Sequence, residues 1–177
     1  VFCFWEDRGE VRMQLKPHAP GIRKFSVQAL TAKARTIIKS MRASKDSGKA
    51  VMFYSCIIGS IPGQTATAIK VADTFVRSLR ERLDQVFIIN PAEYFEPGMD
   101  GDDLMFMWEQ VQRSGLINIW RFQSMEDIEA SFGLMGLKVP PVWSGKDATF
   151  STGCTKEMRI ALDMQRSHPE LQIVGPG

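Results

Sequence analysis

Apolar and polar positions follow two patterns from residue 26 to the end of the chain. Predominantly apolar runs are typical of strands buried on both faces of a parallel sheet, and four occur, at residues 50–58, 85–90, 116–122 and 171–174. Around them, apolar residues recur at every third or fourth position, which predicts helices over residues 26–44, 64–83, 100–113, 125–135 and 155–166. Strands that alternate with helices predict an α/β fold of Rossmann-like or flavodoxin-like type, with a mostly parallel sheet flanked by helices.

The strand at 50–58 is expected at the centre of the sheet, beside 85–90 or 116–122. All three runs are apolar on both faces, and an edge strand would leave one side open to water. Residues 1–49 differ, because two short alternating stretches surround a turn at Asp7-Arg8-Gly9 and precede the first helix. We therefore divide the chain into an N-terminal β-hairpin and basic helix extension, residues 1–49, outside the sheet, and an α/β domain, residues 50–177.

The composition is that of a single globular domain. The chain has 177 residues, of which 44% are hydrophobic and 24% charged. It contains no run of 18 apolar residues, the length that a membrane-spanning helix needs. Cys3, Cys56 and Cys154 lie too far apart for a disulfide framework or a zinc site, and there are only two histidines. We therefore expect no metal, no cofactor and a reducing compartment, the cytoplasm, although targeting cannot be read from a chain that begins with Val1.

Charge is distributed unevenly along the chain. Residues 21–50 contain eight Lys or Arg and one Asp, a net charge of +7, whereas residues 81–110 contain eight acidic residues and one Arg, a net charge of −7. The basic segment can bind an acidic partner protein, a second copy of the chain or the chain's own acidic stretch, or can be a solvated helix face. Nucleic acid is a less favoured ligand, because no aromatic residues for stacking alternate with the basic ones.

The turn after the first strand is a candidate anion site. The sequence Gly59-Ser60-Ile61-Pro62-Gly63 lies between a buried strand and a helix, where free backbone amides and the helix dipole suit a phosphate. It is not a P-loop, because its two glycines are one residue too close and Gln64 stands where the lysine belongs. A tight turn that needs glycine at positive φ explains the same sequence equally well.

A second candidate site precedes the last helix, at Ser151-Thr152-Gly153-Cys154-Thr155-Lys156-Glu157. Ser151 or Thr152 can cap the helix, and Gly153 allows a ligand to approach the backbone. Glu157 can serve as a nucleophile or base at an anomeric carbon, roles that carboxylates have in glycosyl chemistry. An acidic residue in the first turns of a helix can equally complement the helix dipole and do nothing more.

Together these motifs resemble the nucleoside 2-deoxyribosyltransferase-like superfamily over residues 50–177. The pattern is strand, Gly59-Ser60-Ile61-Pro62-Gly63, helix, strand, Asn90-Pro91-Ala92-Glu93, helix, strand and Ser151-x-Gly153-x-x-x-Glu157. It is closest to the branch of 2-deoxynucleoside 5-monophosphate N-glycosidases. The resemblance implies that Gly59, Ser60 and Gly63 contact a 5-phosphate, that Ser151 and Gly153 bind substrate, and that Glu157 is the nucleophile that takes the deoxyribosyl group.

The chain departs from the family pattern in three places. The family carries an aspartate for the base near the position of Met107. Asp103 lies one helical turn earlier and Glu109 two residues later, and neither matches the position; we assign the role to Asp103. About 26 residues, 125–150, separate the third strand from the Glu157 motif, where the family has a short loop, and Pro62 replaces a basic residue. The alternative function is therefore a non-catalytic binding or scaffold subunit that docks into a larger assembly, or into a homo-oligomer, through its N-terminal extension.

The two functions differ in what they require of the fold. For N-glycosidic cleavage or deoxyribosyl transfer on a deoxynucleoside or its 5-monophosphate, the loop 59–63 and Glu157 must reach one pocket. Both follow central strands, whose carboxyl ends open at the same edge of a sheet. We expect that pocket to be partly apolar with few cations, so that Glu157 is ionised but poorly hydrated. A Glu157 in bulk solvent would favour the scaffold.

Overall fold

Strands and helices alternate along residues 25–176, the part of the chain that the computed structural model describes. The helices are α1 (Val27–Asp46), α2 (Thr65–Arg82), α3 (Gly101–Gln112), α4 (Met125–Leu134) and α5 (Thr152–Ser167). The strands are β1 (Ala50–Ser55), β2 (Val86–Ile89), β3 (Ile119–Phe122) and β4 (Gln172–Val174), and short 3-10 turns cover Pro91–Tyr94 and Ala148–Phe150. The hairpin expected before the first helix lies outside the described residues.

The four strands form one parallel sheet in the order β2-β1-β3-β4. β1 pairs with β2 from Ala50 opposite Val86 and with β3 from Met52 opposite Ile119, and β3 pairs in turn with β4. The prediction of an α/β fold with a parallel sheet is confirmed, and so is the central place of the first strand. Sheets of this order open their ligand sites at the carboxyl ends of the strands.

β2 lies at an edge of the sheet that the described residues form, although the sequence analysis expects the second apolar run away from an edge. Its first two residues, Val86 and Phe87, are only half-buried. Arg80 of α2 contacts this strand: its guanidinium donates a hydrogen bond to the Ile88 carbonyl at 2.8 Å and pairs with Glu93. A helix side chain thereby helps to protect a strand edge that is apolar in sequence.

α1 belongs to the hydrophobic core, although the sequence pattern places it in an extension. Ser26 is its N-cap, as predicted, and accepts a hydrogen bond from the Ala29 amide. In one cluster with β1 and β3, the helix buries four apolar residues spaced three or four apart, Leu30, Ala34, Ile37 and Met41. The boundary drawn at residue 49 therefore does not separate this helix from the core of the sheet.

The basic and acidic segments of the chain meet in the structure. α1 packs along α3, and the Lys33 ammonium group pairs with the Glu96 carboxylate shortly before α3. Because this pair is partly exposed, it contributes little to stability, about 0–1 kcal/mol. Further basic side chains of α1, on Arg35, Lys39 and Arg42, lie on its exposed side.

The helices cover the two faces of the sheet in groups of three and two. α1, α3 and α5 pack on the face that carries Val51, Phe53 and Trp120. α2 packs on the face that carries Met52 and Tyr54, with α4 beside it. Side chains of β1 alternate between the two clusters, as the two-residue period of a strand requires. Of the helices within residues 25–176, none is long and apolar enough to cross a membrane.

Candidate active site

A pocket of about 600 Å³ opens at the carboxyl edge of the sheet. Its walls come from the loop after β1, the turn after β2 and the first turns of α3 and α5, and its polar and glycine lining includes Gly59, Ser60, Asp102, Ser151, Gly153 and Glu157. Apolar side chains line much of the remainder, among them Phe95, Met99, Leu104, Met105 and Trp108. The two loops singled out in the sequence therefore meet at one partly apolar pocket, as their topology predicts.

Glu157 lines this pocket from the second turn of α5 and is only 8% exposed. Ser55, the last residue of β1, donates a hydrogen bond from its hydroxyl to Glu157 Oε2, and Trp120 Nε1 donates to Ser55 Oγ at 2.8 Å. Burial raises the pKa of Glu157 to about 7, although the hydrogen bond from Ser55 lowers it. Carboxyl groups that titrate near neutral pH are enriched at functional sites.

α5 begins at Thr152, three residues before the start that the sequence pattern predicts. Ser151 is the N-cap, and its hydroxyl accepts a hydrogen bond from the Cys154 amide at 3.3 Å. The cap brings Gly153 into the first turn, where a Cβ atom would lie 3.5 Å from Ser151 Oγ and 4.0 Å from Met105 Sδ. The cap at Ser151 agrees with the sequence analysis, whereas apolar periodicity starts the helix later because the first turn contributes only Cys154 to the core.

The loop after β1 contributes two of its three predicted residues to the pocket. Gly59 and Ser60 line it, whereas Gly63 does not. Gly63 instead has φ +71°, a left-handed conformation that favours glycine. The need for a tight turn therefore explains Gly63, whereas Gly59 and Ser60 remain candidates for contact with a ligand.

The segment between β3 and α5, residues 123–151, supports this loop. Trp143 is fully buried and donates from Nε1 to the side-chain oxygen of Gln64, directly before α2, at 3.1 Å. At the start of the segment, the Gln123 side-chain oxygen accepts a hydrogen bond from the Ile57 amide at 3.0 Å. Two side chains of this segment thus hydrogen-bond to the two ends of the β1–α2 loop.

Asp103, to which we assign the base-handling role from sequence, does not line the pocket. Its carboxylate accepts from the Asp100 amide at 3.3 Å, while its own amide donates to Asp100 Oδ1 at 2.8 Å, a capping box at the start of α3. Asp100 and Asp102 line the pocket instead. The Asp100-x-x-Asp103 spacing is the signal in the sequence that marks Asp103 as a cap residue and leaves Asp102 for the pocket.

No protein-family model, curated protein or solved structure matches this chain. The chemistry of the site therefore follows from its own side chains and their charges. The pocket lining carries three carboxyl groups, on Asp100, Asp102 and Glu157, and one ammonium group, on Lys156. Such a lining is acidic overall when its carboxyl groups are ionised, which opposes the entry of a doubly charged anion.

Cys56 and Cys154 also line the pocket, close to Glu157. Burial raises the pKa of both thiols, and the Glu157 carboxylate raises it further. The thiols therefore stay protonated at neutral pH and do not compete with Glu157 as nucleophiles. Within residues 25–176, no group of three His, Cys, Asp or Glu side chains could hold a metal ion.

Proposed function

We propose that this protein cleaves the N-glycosidic bond of a 2-deoxynucleoside, with Glu157 as the nucleophile. The observation that carries the proposal is the environment of the Glu157 carboxyl group. It lines a partly apolar pocket, is shielded from bulk water, and keeps Oε1 without a hydrogen-bond partner among the described residues. A poorly hydrated carboxylate is a strong nucleophile and stabilises positive charge that develops at a sugar carbon.

The proposed reaction has two displacements at the anomeric carbon of the sugar. Glu157 Oε1 attacks this carbon, a carbon–oxygen bond forms, and the carbon–nitrogen bond breaks with its electron pair leaving on the base. Water, or a nitrogen of a second base, then attacks the same carbon and releases Glu157 as a carboxylate. The first outcome is hydrolysis and the second is transfer, and both retain the configuration of the sugar.

The departing base needs a proton or a hydrogen bond, and Asp102 fits this task better than Asp103. Asp102 lines the same pocket as Glu157, from the first turn of α3, and α3 packs beside α5. The carboxylate of Asp103 is occupied by the Asp100 amide. A carboxyl group in the same pocket as the nucleophile can hydrogen-bond the departing base, and it acts as a general acid when it is protonated.

The charge of the pocket favours a nucleoside over its 5-monophosphate. Three carboxyl groups against the single ammonium group of Lys156 give a lining that repels a phosphate dianion. A neutral 5-hydroxyl group meets no such repulsion and can exchange hydrogen bonds with Ser60. We therefore assign Gly59 and Ser60 to the 5-hydroxyl end of the sugar rather than to a phosphate.

The test is release of free base from the four common deoxynucleosides and from their 5-monophosphates, followed by chromatography. The wild-type protein is expected to release base from at least one nucleoside, and E157A to lose this activity by a factor of about 10³ or more. Glu129 of α4 is exposed and does not line the pocket, so E129A is the matched control. Addition of a second free base separates transfer from hydrolysis, because only transfer yields a new nucleoside.

A covalent adduct gives an independent readout of the nucleophile. Mass spectrometry of the intact protein after an acid quench is expected to detect one added deoxyribosyl group on the wild-type protein and none on E157A. Base release by E157A at the wild-type rate contradicts the assignment of Glu157. Absence of release from every substrate contradicts the enzymatic function and favours the binding or scaffold subunit.

A further inference from the structure

A hydrogen-bond chain inside the sheet leads to Glu157. Trp120 on β3 donates from Nε1 to Ser55 Oγ at 2.8 Å, and Ser55 donates to Glu157 Oε2. Trp120 and Ser55 are both fully buried, and neither lines the pocket. Glu157 is therefore held on its protein side by a residue that a ligand in the pocket does not contact.

The indole group sets the direction of both hydrogen bonds. An indole nitrogen only donates, so Ser55 Oγ must accept from Trp120. The single proton of the hydroxyl is then directed to Glu157 Oε2, where it favours the ionised carboxylate. Strand pairing fixes this arrangement, because Trp120 lies opposite Phe53 in the β1–β3 register and Ser55 follows two residues later on the same face.

We propose that Ser55, oriented by Trp120, is a positioning residue that anchors Glu157 Oε2 and leaves Oε1 for the substrate. This role rests on the proposed function of Glu157 as the nucleophile. An anchored carboxylate loses less rotational freedom when it attacks a sugar carbon. A fixed donor also reduces the cost of holding the negative charge in a wall that is partly apolar.

Other ionisable groups surround Glu157 without bonding to it. Those that line the same pocket come from the loop after β1, from α5 and from α3, and they are Cys56, Cys154, Lys156, Asp100 and Asp102. Burial raises the pKa of Glu157 and the hydrogen bond from Ser55 lowers it, while the thiols are uncharged at neutral pH. Within residues 25–176, Ser55 is the hydrogen-bond donor to Glu157, so its effect can be removed separately from theirs.

The test is the ionisation midpoint of Glu157, measured by ¹³C NMR of glutamate side-chain carboxyl groups, with E157Q identifying the signal. S55A is expected to raise the midpoint by about one pH unit, because the ionised form loses its donor. S55T keeps the hydroxyl group and is expected to keep the midpoint. W120F removes the indole N–H but leaves an aromatic ring, so a smaller rise is expected.

Ser131 of α4 provides the matched control for the loss of a buried hydroxyl group. It is fully buried, does not line the pocket and donates to the Val71 carbonyl at 2.8 Å. S131A therefore removes a hydrogen-bonded hydroxyl group that does not contact Glu157, and the Glu157 midpoint is expected to stay in place. An equal rise in S131A and S55A would assign the effect to packing and overturn the role of the Ser55 hydrogen bond.

Kinetics give the second readout. S55A is expected to lower kcat for base release by about tenfold or more at pH 6, and by less at pH 9, with KM unchanged because Ser55 does not line the pocket. If S55A changes neither the Glu157 midpoint nor the pH profile of kcat, the positioning role is overturned, even where S55A lowers thermal stability. A midpoint that moves in a protein without base release contradicts the proposed function instead, so the two failures are distinguishable.

Discussion

The N-terminal halves of α3 and α5 both bring carboxyl groups to the same pocket but use them in different ways. At α3, Asp100 and Asp103 accept hydrogen bonds from each other's backbone amides. At α5, the Ser151 hydroxyl accepts from an amide of the first turn. Glu157, one turn further along, bonds to Ser55 of β1 instead of to an amide of its own helix.

This difference separates carboxylates that stabilise a helix from carboxylates that are available for chemistry. A carboxylate that accepts from a free amide at a helix start contributes about 0.5–2 kcal/mol to stability and is satisfied there. A carboxylate buried among apolar side chains lacks these partners, and burial raises its pKa, in the case of Glu157 to about 7. Nearness to a helix start therefore does not identify a reactive acid, whereas its hydrogen-bond partners do.

Replacement of each carboxylate by an amide is the most direct test of the difference between Glu157 and Asp103. E157Q is expected to lower base release by a factor of about 10³ or more, because an amide oxygen is a poor nucleophile. D103N is expected to change kcat by less than about tenfold, because it affects only the helix cap. Initial rates of base release measure both variants. Similar losses in the two would contradict the distinction.

The pH dependence of stability is the next largest effect. The pKa of Glu157 is about 7 in the folded protein against 4.5 for an unperturbed glutamate. The contribution of Glu157 to the free energy of unfolding is therefore fully present below about pH 4.5 and is lost as the pH rises through about 7. E157Q removes this titration, so we expect it to exceed the wild type by about 3 kcal/mol at pH 8 and to equal it at pH 4.

Urea unfolding of E157Q and the wild type at both pH values measures this effect. E129Q, which changes an exposed glutamate of α4, is the control and is expected to leave the pH dependence in place. A difference between E157Q and the wild type that is the same at pH 4 and pH 8 would show that the titration of Glu157 is not coupled to folding.

Removal of the two caps sharpens the comparison at a smaller scale. S151A and D103A are each expected to lower the free energy of unfolding by about 1 kcal/mol, because each removes an acceptor for a backbone amide. S151A should also lower kcat, since α5 carries Glu157, whereas S151T keeps the hydroxyl and both properties. Thermal unfolding and base release, measured on the same samples, separate the two effects. Loss of stability without loss of kcat in S151A would show that the start of α5 does not set the position of Glu157.

The smallest expected effect concerns the choice between a nucleoside and its monophosphate. D102N removes one negative charge from the pocket lining and is expected to raise the relative kcat/KM for the monophosphate about two- to fivefold at low salt, and by less at high salt. The ratio of the two kcat/KM values is the measurement, because a loss of general acid catalysis affects both substrates alike. E126Q, an exposed change on α4, is the control. A ratio that stays constant would contradict electrostatic exclusion of phosphate.

The strands of the sheet can be predicted from the sequence because burial on both faces requires a continuous run of apolar residues. Each of the runs at 50–58, 85–90 and 116–122 contains one of the strands. An apolar run does not distinguish a central strand from an edge strand. β2 is apolar and still lies at the edge of the described sheet, where Arg80 from α2 contacts it, and a contact between a helix side chain and a strand carbonyl has no sequence signature.

The candidate site is readable only in part. Gly59 follows a predicted strand, and Glu157 lies in the first turn of a predicted helix. The topology of a parallel sheet is enough to bring both residues to one edge. Asp102 and Asp103 differ by one position, a turn of about 100° around the helix, and only the capping geometry decides which faces the pocket. The bond from Ser55 to Glu157 joins residues 102 positions apart, and no spacing rule predicts it.

The 123–151 segment touches both walls of the pocket. Trp143 bonds to Gln64 beside the β1–α2 loop, and Ser151 at the end of the segment starts the helix that carries Glu157. Trp143 therefore supports one wall of the pocket from outside its lining, whereas Ser151 is itself a lining residue. We expect substitutions at Trp143 to alter the support of the β1–α2 loop while the residues that line the pocket stay the same. For protein engineering, Trp143 is a position at which one wall of the pocket can be varied without replacing a lining residue.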